Sequence, residues 1–97
     1  MKRIKFETIY LFLKNSRTKT NTDLMCRRTE ASYPTLVNLR EILLKKGYIK
    51  LLQTESKRAK WFIITDKGKE FIKAVDPYFK ELKDILYIQT NLLKEKI

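Results

Sequence analysis

Apolar positions recur at helical spacing through the first half of the chain and then change period. Ile4, Ile9 and Leu13, with Phe6, Tyr10 and Phe12 close by, predict a first helix ending near Asn15, and the polar loop Ser16-Arg17-Thr18-Lys19-Thr20 follows. Asn21, Thr22 and Asp23 are three N-cap candidates for a short second helix through Leu24, Met25 and Cys26 to Arg28, with Thr29-Glu30-Ala31 as the turn after it. Ser32 is placed to cap a third helix, Pro34 is tolerated in its first turn, and Gly47 stops it after Lys46. Leu36, Leu39 and Leu43 give this helix its apolar side. Residues 48–53 and 61–64 are instead rich in aromatic and β-branched side chains, and the polar run 54–58 separates them. They predict a two-stranded hairpin with a basic tip, whose Trp61 and Phe62 belong to its apolar face. Thr65-Asp66-Lys67-Gly68 then joins an N-cap candidate to an acid in the first turn, where the helix dipole favours it, and opens a last helix.

From Asp66 to Ile97 there are 32 residues, or about 48 Å of continuous helix, too long to pack only on so small a head. Phe71, Val75, Tyr78, Leu82, Ile85, Gln89 and Leu92 step alternately by four and three, and Ile72, Val75, Phe79, Leu82, Leu86, Gln89 and Leu93 form an overlapping seam. Left alone, such a stripe faces water, so a partner helix is expected, most simply from a second copy. The expected homodimer interface is Val75, Tyr78, Phe79, Leu82, Ile85, Leu86, Gln89, Leu92 and Leu93. Gln89 either fixes register or sits at an exposed end. Pro77 removes a backbone donor and clashes with the carbonyl at Lys73. The helix is therefore expected either to kink there, or to stop and restart with Asp76 as cap. The implied division is a head over residues 1–68 and a dimerisation helix over 69–97.

Charge narrows the function. The 97 residues carry 22 Lys+Arg against 11 Asp+Glu, a net charge of +11, which favours a polyanion: nucleic acid first, an anionic membrane surface second. Residues 1–60 hold 15 bases and five acids, a net +10, whereas residues 61–97 hold seven lysines and six acids. The basic footprint lies on the head. The nearly neutral amphipathic tail disfavours the membrane reading, because interfacial helices usually carry a basic polar face. Cys26 stands alone and no apolar run approaches membrane-spanning length, so an intracellular, soluble protein with a buried, unpaired thiol is expected. With no His, one Cys and two separated Gly, the chain offers no seat for metal, nucleophilic or phosphate-cradling chemistry. Neither enzyme activity, cofactor nor small-molecule substrate is expected.

The order of two short helices, a third helix closing through residues 43–49, a hairpin running through Trp61-Phe62-Ile63-Ile64 into Thr65-Asp66-Lys67-Gly68-Lys69-Glu70-Phe71, and an apolar repeat to Leu93 resembles the winged helix-turn-helix proteins. Within them the chain is most similar to the Sulfolobus-type 10a family, small basic archaeal DNA-binding proteins with a winged-helix head and a C-terminal coiled-coil helix. The implied fold is mainly α (α+β), a winged helix-turn-helix with a long C-terminal dimerisation helix. The implied role is double-stranded DNA binding of low sequence specificity in chromosome organisation, in the cytoplasm and on the nucleoid, with an antiparallel coiled coil. A sequence-specific regulator, viral or plasmid-borne, is the alternative, and a protein-interaction module is a second one.

By that resemblance the third helix enters the major groove, where Tyr33, Thr35 and Asn38 are its candidate base readers. On a helical wheel Pro34, Asn38, Glu41 and Lys45 share the polar arc. Glu41 repels phosphate unless it reads cytosine or pairs with Lys45 one turn on. Arg40 falls inside the apolar arc, where it either snorkels past the core edge or pairs with an acid. Lys57, Arg58 and Lys60 form the basic hairpin tip that in winged-helix proteins follows the minor groove or backbone. Arg27 and Arg28 suit both phosphate and the C-terminal dipole of the second helix. The loop 16–20 is basic enough to touch phosphate and equally fits a solvated connection.

Overall fold

The computed structural model describes residues 4–53 and 60–95, with side chains of the last helix described as far as residue 86. In chain order the elements are α1 (Phe6–Asn15), α2 (Thr22–Arg28), α3 (Tyr33–Lys46), β1 (Ile49–Leu51), β2 (Phe62–Ile64) and α4 (Asp66–Glu95). All four helices and both strands fall where apolar spacing places them, the strands being shorter than the apolar runs. The hairpin tip at 54–58 lies outside the described residues.

Two helix boundaries have a clear local cause. The Asn21 side chain accepts a hydrogen bond from the Leu24 amide at 2.9 Å, which satisfies one of the orphan donors at the start of α2. Ser32 occupies the N-cap position of α3 without capping through its side chain; its hydroxyl pairs instead with that of Thr35 at 2.8 Å. At the other end Gly47 turns to φ 81°, a left-handed conformation that costs glycine least, and the Tyr48 amide reaches back to the Leu43 carbonyl at 3.0 Å.

The start of α4 is tied to that turn. Thr65 Oγ1 accepts from the Gly68 amide at 3.2 Å, as an N-cap should, and donates to the Gly47 carbonyl at 2.6 Å. Lys67 Nζ donates to the Lys46 carbonyl at 2.7 Å and lies 4.8 Å from the centre of the Tyr48 ring. Gly68 is required by close approach: a Cβ there would strike the Tyr48 carbonyl oxygen and come within 2.5 Å of Ile64 Cγ1. Because the Tyr48 oxygen is backbone, it cannot swing aside. Gly68→Ala should destabilise the fold by about 1–3 kcal/mol, read as a lower melting temperature; an unchanged melting temperature would show that α4 can shift away at no cost.

The strands pair antiparallel, with Ile49 opposite Ile64 and Leu51 opposite Phe62. A third line of backbone joins them from the loop after α1, where Thr20 forms an isolated antiparallel bridge with Phe62. The core lies between this sheet and the helices. Phe12 stacks on Phe62 at 5.3 Å between ring centres, both fully buried, and Met25, Leu36, Leu39 and Leu43 close round them. Such rings each contribute several kcal/mol when buried, so the hairpin's inner face holds the helices together as well as presenting the tip.

The core continues past residue 68 into α4. Ile72 and Phe79 are buried with the residues of α1 to α3, and Phe71 and Val75 pack against them. Phe79 stacks on Tyr10 at 4.0 Å. The helix is continuous through Pro77, so the stop-and-restart alternative does not occur. Asp76 is engaged elsewhere: its carboxylate accepts a hydrogen bond from the Tyr10 hydroxyl, which in turn accepts from Lys14 Nζ at 3.0 Å, and Lys14 lies 3.8 Å from Asp76.

Two charged groups of this cluster, Asp76 and Lys14, are shifted by it. The hydrogen bond from Tyr10, then the charge of Lys14, hold the Asp76 carboxyl below its usual range despite partial desolvation. Lys14 is raised, first by its hydrogen bond to Tyr10. Since the folded value for Asp76 is depressed, its contribution to stability is complete above about pH 4 and is lost as pH falls through that lower folded value. Asp76→Asn should therefore lower the melting temperature at neutral pH, with the difference from wild type shrinking below about pH 4. A difference that persists unchanged into acid would show that the charge of Asp76 is not what binds α4 to α1.

Candidate nucleic-acid interface

The exposed surface of α3 begins at its first turn. Tyr33 is half exposed, Asn38 and Lys45 are exposed, and Thr35 is partly covered, its hydroxyl held by Ser32. Thr35 and Asn38 border a broad open groove between α3 and α1, together with Arg28, Lys5 and the carboxylates of Glu7, Glu30 and Glu41. Tyr33 and Lys45 lie outside it. Glu7 and Glu30 match its two described cations and Glu41 is paired with Arg40, so a phosphate chain gains little by running along this groove.

Glu41 has a partner, and it is Arg40 rather than Lys45. Arg40 is buried in the apolar arc, where its Nε and Nη2 donate to Glu41 Oε1 at 3.1 and 2.9 Å and its Nη1 donates to the Thr22 hydroxyl at 3.1 Å. The guanidinium thus neutralises the one acid on the polar face of α3 and ties that helix to the first turn of α2. Among the described residues no buried side-chain polar atom lacks a partner.

Exposed cations are spread over α2, the loop after α1 and the hairpin. Arg27 and Arg28 end α2 and are exposed, Lys50 is exposed on β1, and Lys60 is exposed just before β2. In the loop after α1, Arg17 and Lys19 are exposed, and Lys19 Nζ lies 4.9 Å from the centre of the half-buried Trp61 ring. Lys57 and Arg58 lie outside the described residues. The structure therefore sets Arg28, Thr35 and Asn38 about one groove and places Lys60 beside a cationic loop absent from the candidate residues. Its basic polar composition between two helices is the one sequence signal for that loop, because a one-residue bridge to a distant strand leaves no periodic trace.

The apolar stripe of α4 is divided. Phe79, expected to face a second chain, is buried on Tyr10 of its own chain, and Val75 is half-buried against the same core. They are covered because α4 lies along α1. Further on, Tyr78, Leu82, Ile85 and Leu86 are 73, 51, 52 and 61% exposed. The side chains of Gln89, Leu92 and Leu93 lie outside the described residues. Among the described residues no helix is long and apolar enough to cross a membrane.

No protein-family model matches the sequence, and a search of curated proteins finds no match. Solved structures do match. Sso10a-2, a DNA-binding protein from Sulfolobus solfataricus, superposes with a TM-score of 0.72 at 20% identity over 98% of this chain and 97% of its own. MepR of S. aureus, solved in complex with DNA, gives 0.74 at 20% identity over 89% of this chain and 65% of its own. BpsR of Bordetella bronchiseptica, whose DNA binding is regulated by 6-hydroxynicotinic acid, gives 0.72 at 13% identity over 79% of this chain. The chain spans 56% of BpsR, so it corresponds to part of that protein and to nearly all of Sso10a-2. At these identities the likeness is one of fold, and the fold is the winged helix-turn-helix, mainly helical with a small antiparallel sheet.

Proposed function

We propose that the chain binds double-stranded DNA as a homodimer, with its basic heads on the duplex and the outer half of α4 joining the two copies. The observation that carries this reading is the division of properties along one winged-helix chain: net +10 over residues 1–60, and a nearly neutral helix whose outer turns leave Leu82, Ile85 and Leu86 open to water. Sso10a-2 and MepR, similar in fold, are respectively a DNA-binding protein and a protein solved on DNA.

Within DNA binding, a largely sequence-tolerant role in chromosome organisation fits the residues better than a dedicated regulator. The base readers are few: Tyr33 and Asn38 are free to reach a groove, but the Thr35 hydroxyl is shared with Ser32, and Glu41 is held by Arg40. Each good bidentate base contact discriminates by about 1–3 kcal/mol, so one asparagine yields only a modest preference. The regulator reading draws on a transcriptional regulator from Clostridium thermocellum that is similar in fold, with a TM-score of 0.71 at 17% identity. Competition between random duplexes and selected sites separates the two. A preference well below about 10³-fold is expected, with Asn38→Ala changing binding to random DNA little; one short site preferred by several orders of magnitude would establish the regulator instead.

A further inference from the structure

We infer that Lys19, held over Trp61 at the root of the hairpin, contacts the DNA backbone phosphates, a contact separate from both the third helix and the hairpin tip. The inference rests on the DNA-binding reading above and extends it to a loop which that reading does not need.

The loop is fixed at both ends. Thr20 exchanges two backbone hydrogen bonds with Phe62, at 3.1 and 2.9 Å, and the Ser16 carbonyl accepts from the Ile64 amide at 2.8 Å. Ser16 is itself buried, its hydroxyl donating to the Phe12 carbonyl at 2.7 Å. The stretch 17–19 is thereby carried on the edge of the sheet, beside the strand that leads in from the tip. Lys19 stands one residue before the bridge, and its ammonium sits 4.9 Å from the indole centre.

That placement suits a phosphate. An ammonium resting on an indole is held by the ring quadrupole, which restricts a side chain that otherwise samples many rotamers, and it keeps N–H donors free for a second partner. Lys19 is exposed and makes no ion pair among the described residues. The exposed Lys60, next to Trp61 in sequence, and the exposed Arg17 add to the same positive field. The groove between α1 and α3 offers no such field: its two described cations, Lys5 and Arg28, are matched by Glu7 and Glu30, and Glu41 is already paired with Arg40. Trp61 is half-buried and the ring face under Lys19 is occupied, so the indole serves as a support for the cation rather than as a platform for a base. The contact should therefore act on all duplex sequences alike.

Anisotropy of an end-labelled random duplex, titrated with the full chain at salt concentrations from about 50 to 200 mM, tests this directly. Losing one phosphate contact should make the slope of log K against log salt shallower by about one unit in Lys19→Ala, so that the advantage of wild type shrinks about threefold across that range. Lys19→Arg should keep the wild-type slope. Trp61 is the chain's single tryptophan, so its emission should change as the duplex saturates. If Lys19→Ala binds duplex with an unchanged slope, or the emission stays constant at saturation, the assignment is overturned while DNA binding stands. If the wild-type chain binds no duplex, both fail.

Discussion

Leu82→Lys and Leu86→Lys should each turn the full-length chain from dimer to monomer and weaken binding to a duplex long enough for two heads by about 10²- to 10⁴-fold. Both positions are more than half exposed on α4 in the single chain, so neither substitution disturbs the head. In a dimer each leucine contributes about 1.5–3 kcal/mol on burial, doubled by symmetry, and a lysine there leaves an unpaired charge in the seam. Losing the partner removes the effective concentration that each bound head confers on the other. A deletion must begin beyond Phe79, because the ring stacked on Tyr10 belongs to the head. A chain ending after Glu81 should keep α1 to α3, both strands and the part of α4 packed on the head, and sediment as a monomer. Full-length protein that sediments as a monomer at micromolar concentration, or a deletion that stays dimeric, would show that α4 is not the dimerisation element.

Lys57→Ala combined with Arg58→Ala should weaken binding to every duplex alike and flatten the salt dependence by about one to two units. The reason is the clustering of Lys57, Arg58 and Lys60 next to a head whose other exposed cations include Arg27, Arg28 and Lys45. Phosphate contacts release counterions and carry no sequence information, so the loss should be uniform across sites. A slope equal to that of wild type would remove the hairpin tip from the contact surface.

Those features of the fold that depend on neighbours in sequence were legible without coordinates. Leu36, Leu39 and Leu43 one turn apart, Gly47 after Lys46, and Thr65 three residues before Gly68 each mark a boundary by its own chemistry, and each boundary is realised. Asn21 could be narrowed only to a set of three, because all three residue types can cap. What stayed hidden depends on distance along the chain. The wheel leaves Arg40 either to snorkel or to pair with an acid, and it pairs with Glu41; its other partner, Thr22, lies 18 residues earlier on another helix, where no period points. The two overlapping seams of α4 give no sign of where its cover ends, since periodicity records which side of a helix is apolar but not what covers each turn; Tyr10 takes Phe79 and leaves Leu82 open. Ser32 has the residue type of a cap, but its hydroxyl pairs with that of Thr35 at close range. At the candidate interface the residue types were legible and their grouping was not, because the three acids of the α1–α3 groove come from three separate stretches of chain.

If this winged-helix head binds duplex DNA through its charge, a salt titration of the wild-type chain with a random-sequence duplex measures it most directly. With about four to six cations per head replacing counterions, log K should fall with log salt at a slope of about −3.5 to −5.5 per engaged head. No binding at low salt, or binding whose strength does not change with salt, would contradict it.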